Sequence, residues 1–199
     1  GKFLYVANFN AGEVSEFRID PVTGALTPLR TPFRTGANRK SRFVAVHPSG
    51  RFAFVSTFLD GQGAGGVTAY AVNAQSGLLT PVGDAVPAGV SPGSLAIAPS
   101  GQFAFVVDTL IDGVWTFSID AATGALTNLN PSEPVPAGAF PDAIAIDRTG
   151  RFAYVANANS DNVTTFAINS STGALTEVGT EVAAGDGPVT NTTGSRSLR

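Results

Sequence analysis

A block reading Gly-(Lys/Arg/Gln)-Phe-x-(Tyr/Phe)-Val begins at Gly1, Gly50, Gly101 and Gly150, so the chain is four copies of one unit of 49 to 51 residues. A unit of that length cannot bury its own apolar face and must stack on a neighbour, which restricts the fold to solenoids, propellers or arrays. A second signature lies in phase behind each block: Asp20-Pro21-Val22-Thr23-Gly24, Asn73-Ala74-Gln75-Ser76-Gly77, Asp120 to Gly124 and Asn169 to Gly173. Asp or Asn at its head can accept from backbone amides two residues on, and its Gly takes a positive φ without penalty, so each signature predicts a hairpin turn.

Between the turns the apolar pattern has period two. In Phe152-Ala153-Tyr154-Val155 the aromatics share one face and the small or branched residues the other, as in a strand covered on both sides. The run Val163 to Ile168 recurs as Val114 to Ile119, Val67 to Val72 and Val14 to Ile19. Further runs follow the Thr-Gly turns, and others (Phe43 to Val46, Leu95 to Ala98, Ala143 to Ile146) precede the next Gly. That is four strands per copy with no helical period, the pattern of an all-β propeller of four-stranded antiparallel blades. The phase predicts fifteen strands in a propeller segment over residues 1–188, entered at the second strand of a blade. Residues 189–199 read as a tail, since Val189 to Thr193 lacks the alternation of the other innermost strands. A partial ring, or one completed by association of exposed blade ends into a homo-oligomer, follows from that count.

The chain has no Cys and no Met, carries a net charge of −3, and holds only 14% charged residues. Thiolate chemistry and disulfides are excluded, and the acidic balance argues against nucleic acid as a partner. No apolar stretch reaches the length of a membrane span. No metal cluster, phosphate-cradling loop or cofactor motif is present in the sequence. Asn162, Asn169 and Asn191 begin glycosylation sequons, a match that Asn- and Thr-rich β sequences produce by chance.

Gly-Arg-Phe-Ala-Tyr-Val-Ala-Asn at 150–157, the Thr-Gly-Ala-Leu-Thr turns and the Pro-Ser-Gly link at 48–50 together resemble the lactonase family of β-propellers. That family includes bacterial 6-phosphogluconolactonases and fungal carboxymuconate cyclases, and the Tyr-Val-Thr-Asn surface-protein propellers are similar. The resemblance implies seven blades and, in enzymatic members, a His after the Pro that opens an innermost strand. Taking Arg39 in the place of Pro92, Pro141 and Pro188 puts Lys40, Gly93, Asp142 and Val189 at that position, so the His is absent. Asp108 and Asp112 match the spacing of an Asp-Leu-Gly-x-Asp stretch of phosphogluconolactonase-like members, without its Gly, and that resemblance makes both candidates for ligand binding.

The short turns fall on one rim and the variable connections (8–13, 58–66, 108–112, 157–162 and the links between copies) on the other, where function usually sits. The link over residues 30–42 stands apart: Arg30, Arg34, Arg39, Lys40 and Arg42 are five of the twelve basic residues, with no acid among them. Arg forks suit carboxylate or phosphate, so Arg34, Arg39, Lys40 and Arg42 are candidates for a small anionic ligand such as a phosphosugar or carboxylated lactone. The plainer reading of the segment is solvated surface. Asn8, Thr57, Asp108 and Asn157 end equivalent strands and read chiefly as loop caps, while His47, which ends an innermost strand, reads as structural. Two functions stay open: a binding or scaffold propeller, exported rather than cytoplasmic, which the absent His favours, and a hydrolase or cyclase acting on sugar or muconate-type lactones.

Overall fold

The computed structural model describes residues 1–59 and 65–190, which form four antiparallel sheets in step with the four sequence copies. The first sheet holds β1 (Phe3–Asn8), β2 (Glu13–Ile19), β3 (Leu26–Pro28) and β4 (Phe33–Arg34). The second holds β5 (Arg39–Val46), β6 (Phe52–Leu59), β7 (Gly66–Val72) and β8 (Leu79–Pro87). β9 (Pro92–Ile97), β10 (Phe103–Asp108), β11 (Gly113–Ile119), β12 (Leu126–Asn128) and β13 (Val135–Pro136) make the third. The fourth consists of β14 (Pro141–Ile146), β15 (Phe152–Asn157), β16 (Asn162–Ile168), β17 (Leu175–Glu177) and β18 (Val182–Ala183).

Each sheet is a meander running from an inner to an outer strand, and the first lacks the inner one. The fifteen expected strands become eighteen among the described residues because three outer strands are interrupted: β3 and β4 both pair β2, β12 and β13 both pair β11, and β17 and β18 both pair β16. Pro32 and Pro134 stand in two of those interruptions, where the missing N–H ends the ladder. In the second blade β8 runs through and absorbs the irregularity as a register shift opposite Val67 and Ala69. Nothing described pairs with the free edge of β1, and Val189 and Thr190 are irregular. Most of the connection at 58–66 and of the tail expected at 189–199 lies outside the described residues.

The core sits between blades. Phe52 and Phe54 of the second blade pack on Ala104 and Val106 of the third, and Phe103 and Phe105 of the third pack on Ala153 and Val155 of the fourth. Tyr5 of the first meets Ala53 and Val55 of the second in the same way. The period-two alternation therefore gives β1, β6, β10 and β15 an aromatic side and a small side, and these meet at each junction, with Trp115 and Phe117 of β11 and Phe166 of β16 completing the receiving faces. The signature turns close the junctions from below. Gly77, Gly124 and Gly173, all at positive φ, lie so close to Phe3, Phe52 and Phe103 that a Cβ would collide with the ring. Arg18 and Arg51 cover Phe3 and Phe52 with ring-centroid distances of 5.2 and 5.0 Å, and their guanidiniums donate to carbonyls of the next blade's turn. A Cβ at Gly24, in the turn of the first blade, would meet nothing within 4 Å.

These contacts set measurable stabilities. Phe105 is fully buried, so Phe105→Ala is expected to cost about 3–5 kcal/mol in urea unfolding, mostly from the cavity left on Ala153 and Val155. Tyr5 gives a pH signature. Its hydroxyl donates to Gly77 O at 2.7 Å, and burial, with the Glu16 charge adding to it, pushes its phenol up to about 12. The fold favours the neutral phenol, so this contribution is whole below pH ~10 and declines as the pH rises beyond it. Alkaline unfolding followed by circular dichroism should show that decline in the native chain and a flatter curve in Tyr5→Phe.

Candidate functional site

The basic segment 30–42 does not form one loop. β4 takes Phe33 and Arg34, and β5 begins at Arg39, so Arg39, Lys40 and Arg42 ride on an inner strand that is two residues longer than β9 or β14. The side chains then part. Arg30 reaches inward and meets the fully buried Glu16, Nε to Oε2 at 2.5 Å and Nη2 to Oε1 at 3.0 Å, while Nη2 also donates to Leu79 O of the next blade. Leu79 N donates to the same carboxylate at 2.7 Å, making Glu16 a stitch between the first two blades. Arg34 stands mostly exposed, 3.8 Å from Glu13. Arg39 donates to Thr57 Oγ1 at 3.1 Å, and Lys40 Nζ to Asn10 O at 3.0 Å.

Arg42 alone turns to the axis, and the reason is in the backbone. Ser41 pairs with Thr57 and Phe43 with Ser56, so Arg42 is the extra residue of a β-bulge. Pro141 pairs with Asn157 and Ala143 with Ala156, which makes Asp142 the extra residue of an equivalent bulge. Pro92 pairs with Asp108 and Leu95 with Val106, which leaves Gly93 and Ser94 in the bulge of the blade between them. A bulge frees one residue from the ladder and re-aims its side chain. The pairing also corrects the sequence alignment by two residues: Ser41, and not Arg39, occupies the place of Pro92 and Pro141, and Arg42, and not Lys40, occupies that of Gly93 and Asp142.

Arg42 passes over Gly93 from the second blade to the fourth; a Cβ there would make ordinary contact with its Cζ at 3.7 Å, and a longer side chain would stand in its path. Nη2 reaches Asp142 Oδ1 at 3.4 Å, and Nη1 donates to Ser91 Oγ at 2.9 Å and Thr109 Oγ1 at 3.2 Å. Arg42 and Asp142 keep a quarter of their side-chain surface exposed. They border a 320 Å³ cavity with Phe43, Ser94 and Ile144, a size suited to a small molecule. Charge at one wall and apolar side chains at another can orient a ligand whose polar group enters beside the guanidinium.

Asp108 is fully buried behind this wall. Its carboxylate accepts from Val90 N at 2.6 Å, Ser91 N at 3.1 Å and Leu110 N at 3.0 Å, so it holds the segment carrying Ser91 against Arg42. Gly89 is required for that approach, since it sits at positive φ and a Cβ there would strike the Asp108 carboxylate and the Trp115 indole. Asp112, itself at positive φ, accepts from Phe140 N at 2.8 Å and ties the third blade's loop to the following link. Asn157 donates to Asn162 Oδ1 and Thr164 Oγ1. His47 bonds Gly101 O and Ser49 at the opposite rim. Sequence reasoning passed over Ser91, Thr109 and the Glu16 stitch; only the Arg42 reach across Gly93 singles out the first two. Among the described residues no three His, Asp or Glu side chains are grouped to hold a metal, and no helix is long and apolar enough to cross a membrane.

Blades of this topology define a β-propeller. The family model for the lactonase, seven-bladed β-propeller matches residues 34–140 and 87–190, and the chain belongs to that family. A 6-phosphogluconolactonase of Formosa agariphila is 28% identical over 132 residues, which is 65% of this chain and 36% of that protein. The periplasmic gluconolactonase of Pseudomonas aeruginosa superposes with a TM-score of 0.72 at 26% identity, over 94% of this chain and 52% of its own. A Bacteroides uniformis structure shares the fold at 21% identity and a TM-score of 0.82, over 95% of this chain and 53% of its own. The chain thus spans between about a third and a half of the length of these relatives.

The role assigned to Asp108 has a direct check. Asp108→Ala leaves three backbone N–H groups without their acceptor and is expected to cost about 3 kcal/mol of unfolding free energy. A loss below about 1 kcal/mol, within the range of ordinary surface substitutions, would remove it from the support of Arg42.

Proposed function

We propose that this chain carries the axial site of a lactone-opening propeller, in which Arg42 receives the carbonyl oxygen and Asp142 directs the attacking water. The observation that carries the reading is the pair of bulged residues, Arg42 and Asp142, brought together across Gly93 at the mouth of the axial cavity. A guanidinium has five N–H donors. The three bonds described leave capacity for an oxyanion, which gains charge as water adds to the lactone carbonyl.

In that step the water oxygen bonds the carbonyl carbon and its proton passes to the Asp142 carboxylate. The ring C–O bond then breaks as the carbonyl re-forms, and the leaving oxygen takes that proton from Asp142, giving the open hydroxy acid and restoring the carboxylate. Asp142 serves as base at one edge of the pair while Arg42 stabilises the charge at the other, and Ser91 and Thr109 keep the guanidinium aimed. The names of the matched relatives support lactone chemistry over the binding-only role that the absent His favours in the sequence. Sugar lactones bearing an acidic or phosphate group fit the basic side of the cavity best.

Hydrolysis of 6-phosphogluconolactone and gluconolactone, followed by proton release, tests the reading. Asp142→Asn is expected to lower kcat by about 10²–10⁴-fold, the usual range for a general base. Arg42→Ala should lower kcat/KM as well, with little change in melting temperature because neither side chain belongs to a blade core. Full lactonase activity in Asp142→Asn would overturn the assignment.

A further inference from the structure

A larger cavity, of 590 Å³, opens between the first two blades on the flank of the ring, and the axial pair takes no part in it. Its polar wall is Arg34 and Arg39, and its aromatic wall is Phe33 and Tyr70, whose rings lie 5.5 Å apart. We propose that this cleft is a second ligand site, for a small molecule that carries a carboxylate or phosphate group on a ring.

The two arginines are underused by the fold. Among the described residues the ion-pair partner of Arg34 is Glu13, 3.8 Å away at the surface, where such a pair contributes little. Arg39 bonds the Thr57 hydroxyl, and no carboxylate among the described residues stands within ion-pair distance of it. Its position is nonetheless prepared. Gly36, at a φ of +147°, lies directly under the Arg39 stem, and a Cβ there would come within 2.8 Å of Cδ and 3.2 Å of Nε. A glycine at that point leaves room for the Arg39 stem to lie along the cleft.

The opposite wall supplies what an anion alone does not need. Phe33, half-buried with the Arg30 guanidinium 4.6 Å from its ring centroid, offers an apolar edge backed by the buried Tyr70, whose phenol is raised by burial while the Thr68 hydroxyl and the Arg39 charge oppose the rise. Tyr70 therefore remains a neutral hydroxyl at physiological pH, suited to a hydrogen bond beside an apolar ring. Asp84 lines the cleft as its one carboxylate, so a second anionic group on the ligand would be repelled and a single charged head is favoured. Oxyanion forks facing an aromatic wall in a cavity of this size match ring-bearing monoanions better than bare inorganic ions.

Titration calorimetry with phenyl phosphate and benzoate, and inorganic phosphate as the ringless probe, decides the matter. The expected result is one phenyl phosphate or benzoate per chain, weakened by added salt, with inorganic phosphate binding more weakly. Arg39→Gln should weaken the ring-bearing anion by roughly tenfold or more, the loss of one charged hydrogen bond. Gly36→Ala should weaken it too while leaving every charge in place, and Arg42→Ala should leave it unchanged. Melting temperatures and lactone turnover of Arg39→Gln should match the native protein, which separates this site from the axial one. Absence of binding by phenyl phosphate and benzoate alike, equal affinity in Arg39→Gln, or loss of binding in Arg42→Ala would overturn the proposal.

Discussion

At each blade junction the aromatic side of one of the strands β1, β6 and β10 packs on the small side of its counterpart in the next blade, and the rest of this structure depends on that contact. Phe54, Phe105 and their neighbours bury large rings against Ala and Val of the following blade. Each buried ring contributes on the order of 2–3 kcal/mol. The rings of one strand fill the hollow over the small residues of the next, with Trp115, Phe117 and Phe166 beside them. The alternation thus fixes both the spacing and the direction of the stack, and the Gly turns under Phe3, Phe52 and Phe103 hold each ring from the rim. Once junctions are fixed, the entrances of β5, β9 and β14 converge on one axis, and only then can residues about a hundred positions apart meet.

At that axis the chain spends backbone regularity on side-chain placement. The bulges at Arg42 and Asp142 interrupt ladder pairing, and a polar framework compensates behind them: Asp108 collects three backbone amides and positions Ser91. The Glu16–Arg30 stitch does similar work between the first two blades, where a buried carboxylate is tolerable because two guanidinium bonds and the Leu79 amide surround it. The five basic residues of 30–42 are therefore divided among inter-blade adhesion, surface, the flank cleft and the axial pair.

Much of this was legible in the sequence. The repeat gave blade number and strand order, the Phe-Ala-Phe-Val runs showed the two faces, and the Asp-x-x-Thr-Gly signature located the turns. What escaped was set by register. A bulge is a mismatch of one residue between paired strands, invisible until the partner is known, and this misplaced Arg39 and Lys40 where Ser41 and Arg42 belong. Glu16 escaped because it sits in an alternating strand at a position where the other copies carry Ala69, Thr116 and Thr165. The interrupted outer strands escaped because segments of two or three residues carry too little pattern to read.

The central claim is that the blade stack brings Arg42 and Asp142 together as one acting unit. The most direct measurement is a double-mutant cycle on kcat/KM for 6-phosphogluconolactone with Arg42→Gln and Asp142→Asn. Residues that act as a unit give strongly non-additive losses. The account predicts that the double variant loses no more than the worse single variant. Losses that multiply, or singles that leave kcat/KM unchanged, would contradict it.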